Sequence, residues 1–285
     1  MYRISPPVSY VFDDALADER SKRRVEQMLG ALGSGLDSAS RVAEADIPEL
    51  IRRHGWEAAR ARQGTLGGHT DPSLVFRTLR MDGAPDAKAV LAACPKGTPA
   101  SLVADLLGRG GMNIHREPAK SGRVCRERYQ FDTLRGCPHG CQYCQGGKVA
   151  VVFTNLEEFA ERQVAPTARE NPWQKVFMFN SQLSDCLCFE PEYGLSRLLV
   201  DYYASTDDQH HLIHTKSANV DFLLDLDHRG HTIVLWSLTS ETVSRVIEPR
   251  TATTEERIEA ARRCQQAGYT VRFKLKPIVP VRNWR

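Results

Sequence analysis

The sequence has no apolar run approaching the roughly 18 residues that a membrane helix needs. It has no excess of either charge: 38 basic residues against 35 acidic ones leave a net charge of +3. The first lack excludes a transmembrane helix, and no membrane partner is expected. The second removes the electrostatic signature of a dedicated nucleic-acid or membrane surface, so DNA is possible as a partner but is not indicated by charge. Met1-Tyr2-Arg3-Ile4-Ser5-Pro6-Pro7 lacks the charged-then-apolar pattern of a secretory leader. A soluble, cytoplasmic protein is the expectation. At 285 residues, 41% hydrophobic and 26% charged, the chain is long enough for one large or two modest globular domains.

Cysteine is what the chain does have. Eight would suit a disulfide scaffold in a short secreted chain, but in an intracellular protein of this length they point to metal or catalysis. Three are clustered in Cys137-Pro138-His139-Gly140-Cys141-Gln142-Tyr143-Cys144, a CxxxCxxC loop. A cubane iron-sulfur cluster usually takes four thiolates. Three leave one iron open to chelate the amino and carboxylate groups of S-adenosylmethionine, and the radical chemistry then belongs to the cofactor. The competing reading is a structural zinc site, with His139, Cys186 or Cys188 as fourth ligand. No second CxxC or HxxxH pair lies at knuckle-like distance from the loop.

The chain reads as two parts, residues 1–120 and 121–285. The first mixes charged helical stretches, Asp18 to Leu32 and Leu50 to Arg62, with glycine-rich breaks at Gly64 to Gly68 and Gly108 to Gly111, and spells no chemistry. In the second, a strand before Cys137 is followed by strands at Lys175 to Phe179, His211 to His214, Thr232 to Leu238 and Val271 to Ile278, with amphipathic helices between. Asn155 with Glu158, and Thr253 with Glu256, have capping-box spacing, and Gly268 is a helix stop. The fold class that follows is α/β: a partial parallel (β/α) barrel with a smaller N-terminal α/β region. The cysteine loop follows the first strand, where catalytic groups of such barrels gather. Few residues follow Lys276, so the barrel is expected to end early, as in a truncated product, a split protein or a swapped dimer.

From about Arg128 onward the chain resembles the radical S-adenosylmethionine enzymes, and within them the spore photoproduct lyases. The cysteine loop carries the resemblance together with Phe153-Thr154-Asn155-Leu156-Glu157-Glu158, Thr215-Lys216 with Val220 to Asp225, and Trp236-Ser237-Leu238-Thr239 followed by Glu248-Pro249-Arg250-Thr251-Ala252. It implies a [4Fe-4S] cluster on Cys137, Cys141 and Cys144, S-adenosyl-L-methionine held by Ser184, Lys216 and Ser237, and a flavodoxin- or ferredoxin-like electron donor. A 5′-deoxyadenosyl radical would then abstract hydrogen from a small-molecule, nucleotide-like or anionic substrate.

Departures bear on that substrate. The lyases donate hydrogen from a cysteine in a segment reading roughly Ser-Cys-Thr-Ser-Asp; here the segment is Ser181-Gln182-Leu183-Ser184-Asp185. A lyase tyrosine after the third cysteine is replaced by Gln145, which leaves Tyr143 as relay. Cys186 and Cys188 are the alternative donors for a repair reaction of lyase type, against their reading as small buried hydrophobes. Cys94, Cys125 and Cys264 read as structural or incidental. Arg272, Lys274 and Lys276 give the last strand one basic face, fit either for an anionic substrate or for protecting a sheet edge.

Overall fold

The computed structural model describes residues 2–58, 70–83, 85–113, 129–144 and 146–280, with 111–113 as backbone only. Its strands in chain order are β1 (Ser9–Phe12), β2 (Ser40–Val42), β3 (Ser73–Arg77), β4 (Gly111–Asn113), β5 (Tyr129–Asp132), β6 (Leu134–Arg135), β7 (Val149–Phe153), β8 (Val176–Phe179), β9 (His210–Thr215), β10 (Thr232–Leu238) and β11 (Thr270–Leu275). The helices are α1 (Glu19–Ala31), α2 (Ile47–His54), α3 (Ala87–Ala93), α4 (Ala100–Leu106), α5 (Leu156–Phe159), α6 (Ala165–Glu170), α7 (Leu195–Ala204), α8 (Glu241–Val246) and α9 (Thr254–Gln266). Among the described residues no helix is long and apolar enough to cross a membrane.

Two sheets result. One runs β11-β10-β9-β8-β5-β4, parallel except for β4, which is antiparallel to β5. Its five parallel strands are the βα series expected of a partial barrel. The other runs β2-β1-β3-β7-β6. Strand β7, all five residues buried, pairs in parallel with β3. This strand was not among those expected, because Val149-Ala150-Val151-Val152-Phe153 has no alternation and a short apolar run can belong to either element type. Its pairing carries the five-stranded sheet across the boundary expected near residue 120, and one apolar core runs from Ile4 to Tyr203.

Local signals account for most boundaries. Asp18 caps α1 by accepting from the backbone N–H of Arg20 and Ser21 at 3.0 and 2.9 Å. Helix α2 stops at Gly55 in the left-handed conformation, short of the stretch expected to reach Arg62; residues 59–62 and the Gly64 to Gly68 break lie outside the described residues. The Thr253–Glu256 capping box forms at α9, and Gly268 follows that helix at φ +90°. Asn155 does not cap α5. Its amide instead accepts from Leu79 N at 2.7 Å and donates to Leu79 O at 2.9 Å and to Glu158 at 2.7 Å. The neighbouring strands β3 and β7 bring that backbone within reach, and a two-sided pairing satisfies more groups than a cap.

Sides of the six-stranded sheet follow from register. Ile213, Val234 and Trp236 pack with Val200 of α7 and with Ala260, Ala261 and Cys264 of α9. Met178, Leu212 and Ile233 form a separate cluster. Alternation therefore sends Gln130, Asp132, His214 and Ser237 to the side away from the helices.

Candidate active site

The cysteine loop leaves β6 through Gly136, which has φ +109°. A Cβ there would stand 2.2 Å from the carbonyl oxygen of Val149, so the loop can start against β7 only with glycine. Gly136 N donates to Leu183 O at 3.0 Å and Gln142 N to Ile247 O at 2.9 Å. The loop is thereby tied to the Ser181 to Asp185 segment and to the end of α8. Backbone N–H groups face two of the sulfurs, from His139 to Cys137 and from Gly146 to Cys144, both at 3.4 Å. Cys141 is buried, and that burial pushes its thiol up, whereas the Lys216 cation pulls the other way. Burial would also raise Cys137, but hydrogen bonding from the Cys188 thiol and the adjacent His139 bring it down to about 5.

Two carboxylates organise the surroundings. Asp185 accepts from Thr215 Oγ1 at 2.8 Å, from Leu187 N at 3.0 Å and from Lys216 N at 2.8 Å, so it fixes the end of β9 against the Ser181 to Asp185 segment. Its other near neighbour is His139, Nδ1 at 3.7 Å. Glu248 forms a fully buried ion pair with Arg257 at 2.6 Å and accepts from the Tyr143 hydroxyl. Lys216 Nζ lies 3.9 Å from Glu248 and 5.6 Å from the centre of the Tyr143 ring. Neither carboxylate was singled out from sequence. The available signal was position, since one ends the Ser181 to Asp185 segment and the other opens Glu248-Pro249-Arg250-Thr251.

The structure thus gathers the cysteine loop, Tyr143 and Lys216 at the C-terminal end of β9. Ser184 Oγ is committed to Asn180 O at 2.8 Å, and Ser237 Oγ shares a hydrogen bond with His214 Nε2 at 2.8 Å. Cys186 is not brought to this face, and Cys188 meets it only through the hydrogen bond of its thiol to Cys137. They are 8% and 0% exposed, belong to the two apolar cores, and direct their thiols at Phe179 O and Asp185 O at 2.9 and 3.2 Å. Cys264 is buried in α9 and Cys94 donates to Val90 O, as structural residues do. Cys125 and Gln145 lie outside the described residues.

Whether this loop suits an iron-sulfur cluster can be judged from its polar groups. Among the described residues no group of three or more His, Cys, Asp or Glu side chains is drawn together as around a single metal ion. A cubane holds its thiolates farther apart than one tetrahedral ion does. His139 is 3% exposed, and its Nε2 has no hydrogen-bond partner. A buried orphan nitrogen beside Cys137 is what a sulfur-rich acceptor would satisfy. The donor set fits the cluster.

The spore photoproduct lyase family profile matches residues 125–285. The chain belongs to the spore photoproduct lyase family. It is 28% identical over 163 residues to the spore photoproduct lyase of Clostridium acetobutylicum, covering 55% of this chain and 48% of that one. It is 27% identical over 162 residues to the Bacillus subtilis protein of the same name, covering 55% and 47%. The chain therefore spans about half the length of the curated relatives it matches. Solved structures agree in fold. A mutant spore photoproduct lyase with bound AdoMet and dinucleoside spore photoproduct superposes with a TM-score of 0.64 at 19% identity, over 99% of this chain and 71% of the other. A further spore photoproduct lyase, complexed with dinucleoside spore photoproduct, gives 0.63 with the same coverage.

Proposed function

We propose that this chain is a radical S-adenosylmethionine enzyme whose substrate is nucleotide-like. One observation carries the reading: the only CxxxCxxC loop in the chain sits at the C-terminal end of the parallel sheet beside Lys216, in a family whose members are spore photoproduct lyases. Cys137, Cys141 and Cys144 would hold a [4Fe-4S] cluster with one iron free. When bound, that cluster supplies the electron that cleaves S-adenosylmethionine to a 5′-deoxyadenosyl radical.

The chain's own residues orient the cofactor. The Lys216 ammonium suits its carboxylate. Because Glu248 is already engaged by Arg257 and Tyr143, its contact with Lys216 at 3.9 Å is long and leaves the ammonium donors for a ligand. Ser237 and Ser184 would meet the ribose or amine by exchanging their present partners. Tyr143, hydrogen-bonded to Glu248 and close to Lys216, is the residue placed to relay a hydrogen atom. The electron would come from a flavodoxin- or ferredoxin-like donor in the cytoplasm, and residues 1–120 would act as a supporting region.

Anaerobic reconstitution followed by dithionite and S-adenosylmethionine tests the proposal. Iron, sulfide and release of 5′-deoxyadenosine are expected, and Cys141→Ala should abolish all three. Stoichiometric zinc without iron would refute it. A second reading, repair of the spore photoproduct itself, is favoured by the names of the relatives. Gln182 in the donor's place and the burial of Cys186 and Cys188 count against a thiol-assisted version. Reversion of photoproduct-containing DNA to thymine by the reconstituted protein would establish that reading.

A further inference from the structure

The cysteine loop and the residues that face it belong to different sheets. Strand β6, which launches the loop, pairs with β7 in the five-stranded sheet that also holds β1, β2 and β3 of the N-terminal region. Strand β9, which ends one residue before Lys216, and β10, which carries Ser237, belong to the six-stranded sheet. The chain passes from one sheet to the other through Thr133 alone, since Asp132 closes β5 and Leu134 opens β6. A change of angle at that joint therefore moves all three thiols together relative to Lys216.

A charged clamp spans the joint. Arg135, two residues before Cys137, donates from Nε to Asp105 of α4 at 3.1 Å and from Nη1 to Asp132 at 3.4 Å. The Arg135, Asp105 and Asp132 side chains are 11%, 8% and 1% exposed, so water does little to screen these contacts. Asp132 in turn accepts from Ser181 N at 3.1 Å and Gln182 N at 3.4 Å. A planar guanidinium holds two carboxylates in set directions, as an ammonium cannot. One side chain thus links the N-terminal region, the root of the cysteine loop and the Ser181 to Asp185 segment.

Apolar packing does not set this joint by itself. A cavity of about 50 Å³ lies between α4 and the root of the loop, with Leu102, Asp105, Arg135, Gly136, Gly146 and Leu183 among its walls. Gly136 N to Leu183 O and Gln142 N to Ile247 O also cross between the loop and its surroundings, but neither bond involves residues 1–120. A buried ion pair contributes little net stability on average. One placed where two sheets meet fixes an angle instead.

We infer that Asp105 and Arg135 are positioning residues, through which the N-terminal region sets the cysteine loop against the strand ends that would hold S-adenosylmethionine. This rests on the radical reading proposed above. Asp105 touches none of the cysteines and acts through Arg135.

The test measures S-adenosylmethionine affinity of the anaerobically reconstituted full chain by equilibrium dialysis, together with iron per chain and urea unfolding of the apo-protein. Wild type, Asp105→Ala, Asp105→Asn and Thr253→Ala are compared. Asp105→Ala should keep wild-type iron, because the three thiols move as one loop, and should lose affinity about three- to tenfold. Asp105→Asn, which keeps an acceptor for Arg135 Nε, should lie between it and wild type. Thr253→Ala, which loses only a helix cap, should be less stable yet bind as wild type does. Wild-type affinity in Asp105→Ala, an equal loss in Thr253→Ala, or iron lost in step with affinity overturns the clamp and leaves the radical reading standing. Should Asp105→Ala not fold, Asp105→Asn decides by the same criteria. If wild type itself binds no S-adenosylmethionine, the radical reading fails, and hydrogen exchange of the apo-protein decides the clamp. Faster exchange of the Ser181 and Gln182 N–H groups in the Asp105 variants, transmitted through Arg135 and Asp132, upholds it, and unchanged exchange overturns it.

Discussion

Replacing Glu248 tests how the core and the site are joined. Both members of the Glu248–Arg257 pair are fully buried at 2.6 Å, and Arg257 also donates to Ala252 O and Ser237 O at 2.8 Å each. With alanine at 248 the guanidinium keeps those carbonyls but loses its counter-charge in a site closed to water. Breaking a buried pair from one side costs about 3–5 kcal/mol. The Tyr143 hydroxyl loses its acceptor as well, worth about 1 kcal/mol. Glu248→Gln keeps an acceptor for Tyr143, so it should be less harmful than Glu248→Ala by about that 1 kcal/mol. Combining Glu248→Gln with Arg257→Met removes the orphaned charge, and the double variant should recover part of the loss. Urea unfolding of the apo-protein measures wild type, Glu248→Ala, Glu248→Gln, Arg257→Met and the double variant. A loss below about 1 kcal/mol in Glu248→Ala, or full additivity in the double variant, would refute the picture of a buried charge anchor beneath Tyr143 and Lys216.

Other consequences are equally open to measurement. Gly136→Ala, which puts a Cβ 2.2 Å from Val149 O at φ +109°, should displace the cysteine loop; iron bound per chain after reconstitution should fall severalfold, and wild-type iron content would contradict the steric account. Asp132 is 2% exposed and its carboxyl is raised by burial to about 6 against an ordinary 3.8, opposed by Arg135 and by the N–H groups of Ser181 and Gln182. The stabilising effect of its neutral form is complete below about pH 3.8 and is lost as pH rises through about 6, so the stability gap between wild type and Asp132→Asn should shift against wild type by about 2–3 kcal/mol from pH 4 to 7; a gap that does not change with pH would be the contrary result. Thr253→Ala removes the oxygen that accepts from Glu256 N at 3.2 Å and should cost about 1 kcal/mol in unfolding, with cofactor binding unaffected. Gln182→Cys places a thiol where the family's donor stands, and a gain in thymine formed from photoproduct DNA is expected, whereas no change would place residue 182 outside the path of the radical.

What could be read from sequence was set by the range of the interactions concerned. Strands β8 to β11, the α9 capping box and the Gly268 stop depend on neighbours within a few residues, and the chain spells them out. Strand β7 was illegible because an unbroken apolar run has no period, and its partner β3 lies more than seventy residues away. Asn155 misled for a related reason: the spacing to Glu158 is local, but the backbone that wins its amide belongs to Leu79.

The same division explains the site. The thiols are close in sequence, so their grouping was evident. Asp185 and Glu248 act across 31 and 32 residues on Lys216, and nothing in the local pattern of either marks it as a partner. Cys186 and Cys188 show the converse. Sequence puts them four and six residues from Gln182, yet each is buried in an apolar core with its sulfur at a backbone carbonyl, and Cys188 also bonds Cys137. Proximity in the chain is therefore a poor guide to which residue replaces the missing thiol. A replacement must stand beside Lys216 at the end of β9: Tyr143, hydrogen-bonded to Glu248 and 5.6 Å from Lys216, stands there, whereas Cys186 turns to Phe179 O and Cys188 reaches only Cys137 of the loop.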